Sequence, residues 1–242
     1  MNNLIKLQTD ESNYHFSGVS IDKLGASEYT LVNIVIDMSG SVSSFQNELT
    51  ECIKTIVSSC KHSQRAENLM IRLTTFNNQV YEEHGFSLLS SLDIASYTNT
   101  VKPDGMTALF DATLNGLEAI KKYGSELSDQ EFDVNGIVFI VTDGDDNNSR
   151  NTKNTVKDVI NKIKQDEKLE SVRTILIGVN TNVGSLKQKL DQFKDESELD
   201  QYIDIDKADK NSLAKLANFI SKSISAQSLA LGTGGPSQAI TF

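Results

Sequence analysis

The sequence contains few of the residues that mark disulfide-stabilised, exported or membrane proteins. Only two cysteines, two prolines and no tryptophan occur among its 242 residues. Cys52 and Cys60 fall in one predicted helix, where their Cα atoms would lie roughly 12 Å apart, too far for a disulfide. The N-terminus lacks the apolar core of a signal peptide, and no stretch approaches the ~18 apolar residues of a membrane span. We therefore expect a cytoplasmic protein with reduced cysteines and no membrane span.

Positive charge is also scarce. The chain has 23 Lys and Arg residues against 33 Asp and Glu residues, which gives a formal net charge of −10. A chain of this sign is repelled by nucleic-acid backbones and by anionic membranes, so we expect neither as a partner. The length suits one α/β domain with tails.

Catalytic and nucleotide-binding motifs are missing from the sequence. There is no Gly-x-x-x-x-Gly-Lys motif, and no Gly-x-Gly-x-x-Gly follows the first predicted strand. His15, His62 and His84 are scattered, and none stands beside an evident nucleophile. We expect a protein that is not an enzyme and has no catalytic residues.

Strand and helix patterns alternate through most of the chain. Alternation of this kind predicts a mainly parallel central sheet with helices on both faces. The Asn77-Asn78 turn joins the second and third predicted strands, which makes the third strand an antiparallel edge. We predict strands at 31–36, 69–77, 79–89, 137–141, 172–179 and 202–205, and helices at 45–60, 107–123, 152–164, 186–193 and 212–224.

Both ends fall outside this pattern. We predict an N-terminal extension at 1–30, the main domain at 31–225 and a Gly-rich tail at 226–242. The glycines and proline of the tail predict that it forms no helix. Because the tail also carries apolar side chains, we expect it to dock on another chain or a neighbouring copy, for example by strand addition, and self-assembly through the termini is one hypothesis. The tail residues concerned are Leu229, Leu231, Gly232, Gly234, Gly235, Pro236, Ile240 and Phe242.

Oxygen-bearing side chains follow the predicted strands in three separate loops. Asp37, Ser39 and Ser41 come directly after the first strand, Thr107 opens a helix, and Asp143 follows the strand at 137–141. The carboxyl ends of parallel strands meet at one edge of a sheet, where ligands usually bind. Carboxylate and hydroxyl oxygens suit Mg²⁺, with Ca²⁺ or Mn²⁺ as substitutes.

The third loop does not form a calcium-binding EF-hand. Asp143, Asp145 and Asn147 match the first ligand positions of that motif. Asn148 stands where the motif needs Gly, however, and Asn154 where it needs the bidentate Glu.

Together, the three loops resemble the metal-ion-dependent adhesion site (MIDAS) of the von Willebrand factor A (VWA) domain family. The pattern is Asp-x-Ser-x-Ser, then a Thr, then an Asp, and the flanking segments 105–112 and 142–147 are similar to those of intracellular bacterial or phage-like members. The resemblance covers about residues 30–225. It implies a three-layer, Rossmann-like fold and makes Asp37, Ser39, Ser41, Thr107 and Asp143 the metal-binding residues.

The resemblance also implies a function. In the family, the metal bridges to a carboxylate of a partner protein, which predicts a metal-dependent protein–protein interaction module in a larger intracellular or phage-derived assembly. Two alternatives remain open from the residues: a structural subunit whose metal only stabilises it, and a hydrolase whose metal activates water.

Overall fold

The computed structural model describes residues 4–12, 14–235 and 241–242. Strands and helices alternate after an N-terminal hairpin, and no helix in the described ranges is long and apolar enough to cross a membrane. The strands are β1 (Leu4–Gln8), β2 (His15–Val19), β3 (Glu28–Asp37), β4 (Leu69–Phe76), β5 (Val80–Leu88), β6 (Asp133–Thr142), β7 (Ser171–Val179) and β8 (Gln201–Ile205). The α-helices are α1 (Gln46–Lys61), α2 (Leu109–Ser128), α3 (Lys153–Asp166), α4 (Leu186–Ser197) and α5 (Lys210–Thr233).

The sheet is mixed, with strand order β1-β2-β5-β4-β3-β6-β7-β8. Strands β3, β4, β6, β7 and β8 are parallel to one another, whereas β4 with β5 and β1 with β2 form antiparallel pairs. The prediction of one antiparallel edge strand is wrong, because β2 pairs in parallel with β5 and moves the edge of the sheet outward to β1.

The central strands carry apolar side chains on both faces, and helices cover both faces of the sheet. Every residue of β4 is buried, as are nine of the ten residues of β3. Alternate side chains of these strands enter two separate apolar cores. One core holds the buried faces of α1 and α5, and the other those of α2, α3 and α4.

The N-terminal hairpin is fixed to the sheet by side chains more than by strand pairing. Gly18 and Phe86 form the single bridge between β2 and β5. Phe16 is buried in the α2 core, and Tyr123 Oη donates a hydrogen bond of 2.6 Å to the Val19 carbonyl. Residues predicted as an extension therefore complete one side of the domain.

The C-terminal helix is longer than the glycines predict. α5 continues through Gly232 to Thr233 and ends at Gly234, whose φ of +64° suits a helix C-cap. A Cβ at Gly232 would displace the Arg65 guanidinium from its contacts with Ser228 and Glu28. The predicted boundary at residue 226 thus falls inside a helix.

The last residue of the chain packs on its own domain. The Phe242 ring lies 5.6 Å from the Phe219 ring of α5, in an edge-to-face arrangement. This contact differs from the expected docking of the tail on another chain. Pro236 and Ile240 lie outside the described residues.

Candidate functional site

All five residues predicted as metal ligands lie at one edge of the sheet. Asp37 ends β3, and Asp143 follows β6, which is the parallel neighbour of β3. Ser39 Oγ and Ser41 Oγ are 3.0 Å apart, and Ser41 Oγ donates a hydrogen bond of 2.6 Å to Asp143 Oδ1. We call Asp37, Ser39, Ser41, Thr107 and Asp143 the loop cluster.

Asp37 is the most buried carboxylate of the loop cluster, with 1% of its surface exposed. Its Oδ1 accepts a hydrogen bond of 2.7 Å from the Ser39 N–H, and its Oδ2 accepts one of 2.6 Å from Thr142 Oγ1. Burial nevertheless raises the pKa of Asp37 to about 6, because desolvation of the charged form outweighs these hydrogen bonds.

Asp143 is the second carboxylate, and burial also raises its pKa, against the hydrogen bond from Ser41. Across the described residues, neither Asp37 nor Asp143 forms an ion pair with Lys, Arg or His. Two desolvated carboxylates therefore lie together without a cationic side chain to compensate them.

Thr107 is held by Asn147 and Asn148, which the sequence indicates only as positions of an incomplete EF-hand pattern. Its N–H donates to Asn147 Oδ1 at 2.9 Å, and its carbonyl accepts from the N–H groups of Asn147 and Asn148 at 3.0 and 3.2 Å. A Cβ at Gly144 would lie 3.2 Å from Thr107 Oγ1, which places that hydroxyl beside the Asp143 loop. The signal in the sequence that could have indicated this role is the presence of Asn residues, which favour turns, in the loop after β6.

A similar arrangement holds the first loop against the second. Gly40 N–H donates to the Gly105 carbonyl at 3.1 Å, and Asn78 Oδ1 accepts from the Met106 N–H at 2.7 Å. Gly105 has a φ of +74°, and a side chain at this position would collide with Asn78. The turn between β4 and β5 thus positions the loop that carries Thr107.

The loop cluster contains two carboxylates and three hydroxyl groups. Within the described ranges, no three His, Cys, Asp or Glu side chains form a group that could hold a metal ion. A cation at the loop cluster would be surrounded mainly by neutral oxygens, which is compatible with Mg²⁺ or Ca²⁺ chemistry. The five ligands and the choice of Mg²⁺ stay predictions.

No protein-family model and no curated protein matches this sequence. Several solved structures share its fold. The PilB minor pilin from Streptococcus sanguinis superimposes with a TM-score of 0.63 at 15% identity, over 96% of this chain and 75% of that one. The pilus adhesin SpaC from Lactobacillus rhamnosus GG, in its open conformation, gives 0.57 at 13% identity, over 92% of this chain and 34% of the adhesin. Proximal thread matrix protein 1 from the mussel byssus gives 0.53 at 18% identity, over 84% and 47%.

These comparisons contradict the resemblance drawn from the three loops. The neighbours are pilins, a pilus adhesin and a byssus matrix protein, so the VWA identification, its Rossmann-like fold class and a cytoplasmic or phage location are corrected. The metal-bridging interaction function is corrected with them, since the described residues contain no group of three or more His, Cys, Asp or Glu side chains that could hold a metal. The motif led to the wrong family because the same residue types also stabilise turns. Here the Asp37 carboxylate accepts a hydrogen bond from the Ser39 N–H.

Proposed function

We propose that this chain is a non-enzymatic subunit of a pilus-type surface assembly, with a role in assembly or adhesion. The observation that supports the proposal is the likeness to the PilB minor pilin, which extends over 96% of this chain and 75% of that pilin. A pilus adhesin and a byssus matrix protein share the same fold.

The surface best suited to a protein contact is the loop edge of the sheet. Three of the exposed large apolar side chains among the described residues lie at this edge. Val183 follows β7, Tyr81 is at the start of β5, and the Met106 N–H donates to Asn78 in the turn between β4 and β5. Met106 is 47% exposed and Val183 68% exposed, and both belong to loops rich in polar groups. Apolar side chains beside polar ones are typical of protein interfaces. We propose that this edge contacts the next subunit or the adhesion target.

The proposal is tested in the cells that produce the protein. Surface filaments are sheared off and examined by immunogold electron microscopy, and the chain is expected to co-purify with them. Met106→Asp and Val183→Asp should reduce incorporation, whereas the exposed control Thr98→Asp should not. A chain found only in the soluble interior of the cell would contradict the proposal. If Leu229→Asp blocks incorporation while Met106→Asp does not, assembly instead uses the C-terminal end.

Cation binding by the loop cluster is a separate proposal. What supports it is a pair of carboxylates, the buried Asp37 and the partly buried Asp143, that no Lys, Arg or His compensates in the described part of the chain. Asp37, Ser39, Ser41, Thr107 and Asp143 would hold the ion, and bound Mg²⁺ would supply the missing positive charge. The proposal includes no carboxylate from a partner.

A further inference from the structure

A cavity of about 540 Å³ lies away from the loop cluster, between the N-terminal hairpin, β5 and the segment 89–100. Its size is within the range of small-ligand sites, roughly 300–1,000 Å³. No residue of the loop cluster lines it. Its apolar wall includes Leu4, Val19, Leu88 and Leu92, and its remaining lining is mostly hydroxyl-bearing or charged.

Three serines of the lining offer acceptors and no free donors. Ser87 Oγ donates to the Gly85 carbonyl at 3.0 Å, Ser91 Oγ to the Leu88 carbonyl at 2.7 Å, and Ser96 Oγ to the Asp93 carbonyl at 2.6 Å. Each hydroxyl hydrogen is therefore committed to the main chain, whereas the oxygen lone pairs remain available. A ligand here has to bring its own hydrogen-bond donors.

His84 adds a neutral group to the same wall. Its Nδ1 is 3.0 Å from the Gly85 carbonyl, which can only accept, so Nδ1 carries the hydrogen and Nε2 accepts from Tyr97 Oη at 2.8 Å. Burial lowers the pKa of His84, which keeps the imidazole neutral at pH 7. Both ring nitrogens are already used within the protein.

The charged groups of the lining are Glu83, Asp93 and Lys23. Lys23 is paired with Asp22 at 2.7 Å, so the mouth of the cavity has a net negative charge. An anionic ligand is disfavoured there. The complementary ligand is uncharged, rich in hydroxyl donors, and has apolar C–H surface for the leucines and for Tyr97.

We propose that this cavity binds a neutral saccharide of one or two sugar rings. Sugar hydroxyls donate to the serine oxygens and to the carboxylates of Glu83 and Asp93, while the C–H faces of the ring pack on the apolar wall. This binding site goes beyond the proposed assembly role, and its test uses the isolated chain. Failure of either proposal therefore leaves the other standing.

The test is calorimetry and saturation-transfer NMR on the purified full chain. The probes are methyl glucoside, N-acetylglucosamine and maltose, with anionic N-acetylneuraminic acid and cationic methylammonium for comparison. We expect at least one neutral sugar to bind, and Ser96→Trp at the mouth to weaken that binding by at least about tenfold. Thr98→Trp is the matched control, because Thr98 lies on the same turn, makes the same type of main-chain hydrogen bond and does not line the cavity.

Circular dichroism establishes that each variant is folded, and Ser91→Trp replaces Ser96→Trp if that variant is not. The proposal is overturned if no neutral sugar binds at about 10 mM. It is equally overturned if both blocking variants bind sugar as well as the unaltered chain, or if only the anionic or cationic probe binds.

Discussion

Asp37→Asn should stabilise the folded protein at neutral pH in the absence of divalent cations. The ionised Asp37 carboxylate is buried, and its pKa rises from its ordinary 3.8 to about 6. Since each tenfold change in proton affinity corresponds to about 1.4 kcal/mol, ionised Asp37 lowers the free energy of unfolding by up to ~3 kcal/mol at pH 8. Asparagine removes the charge and keeps an oxygen for the Ser39 N–H. Thr142 Oγ1 already has a second acceptor in the Gly144 carbonyl, at 3.0 Å.

The pH dependence gives the prediction its sign. Below the unfolded pKa, Asp37 is protonated in both states, and its burial carries no charge penalty. Between about pH 4 and pH 6 the folded protein retains a proton that the unfolded chain has lost, so this residue's contribution to stability falls as the pH rises. Above pH 6 the penalty is complete. We therefore expect Asp37→Asn to gain about 1–3 kcal/mol at pH 8 and almost nothing at pH 4.

Urea denaturation followed by circular dichroism, in EDTA at pH 4 and pH 8, measures these differences. Asp104→Asn is the matched control, because Asp104 is exposed in the neighbouring loop and its substitution should change stability by less than about 0.5 kcal/mol. The reasoning is refuted if Asp37→Asn is no more stable than the unaltered chain at pH 8. A gain of equal size at both pH values would also refute it, since ionisation would then not be the cause.

Three further outcomes are expected. Arg72→Met should lower the free energy of unfolding by about 3 kcal/mol in the same denaturation assay. The substitution leaves the Glu82 carboxylate without its cation, since Glu82 lies 2.7 Å from the buried Arg72 Nε. A double-mutant cycle with Glu82→Gln measures the coupling between the two side chains. Glu167→Gly should raise the thermal midpoint and increase the free energy of unfolding by about 0.5–1 kcal/mol. The reason is that Glu167 has a left-handed φ of +47° at the end of α3, where glycine is not strained. An unchanged or lower midpoint would contradict this prediction. Calorimetry should detect Mg²⁺ binding at millimolar concentration that Asp143→Ala removes, and no heat from the unaltered chain would contradict the ligand assignment.

Hydrophobic periodicity located the elements that bury a continuous apolar surface. The run at 137–141 lies inside β6, and the helical pattern at 212–224 lies inside α5. β1 and β2 were not predicted, because each has only five residues, too few for a clear pattern. Their position also depends on partners far along the chain, such as Glu82 and Tyr123. The last turns of α5 were not predicted, because glycine usually disfavours a helix. Gly232 is helical here and lies against the Arg65 side chain, a contact that cannot be inferred from the sequence.

The convergence of the three loops could be predicted, since parallel neighbours β3 and β6 end at the same edge. The supporting roles of Asn78 and Asn147 could not. Each accepts from a main-chain N–H in a distant segment, 28 and 40 positions away respectively, and such pairings appear only in three dimensions. The protein family and the cellular location also could not be predicted from the three loops, because five side chains at one edge do not specify what the rest of the surface contacts.

The way the N-terminal hairpin attaches has a consequence for biosynthesis. β1 and β2 leave the ribosome before Glu82, Phe86 and Tyr123, the residues that β2 contacts. The hairpin therefore lacks its complete docking surface until Tyr123 has been synthesised. Phe16 and its neighbours must stay exposed to other chains or to chaperones during that interval. β1 and β2 are thus synthesised before the residues that hold them in place.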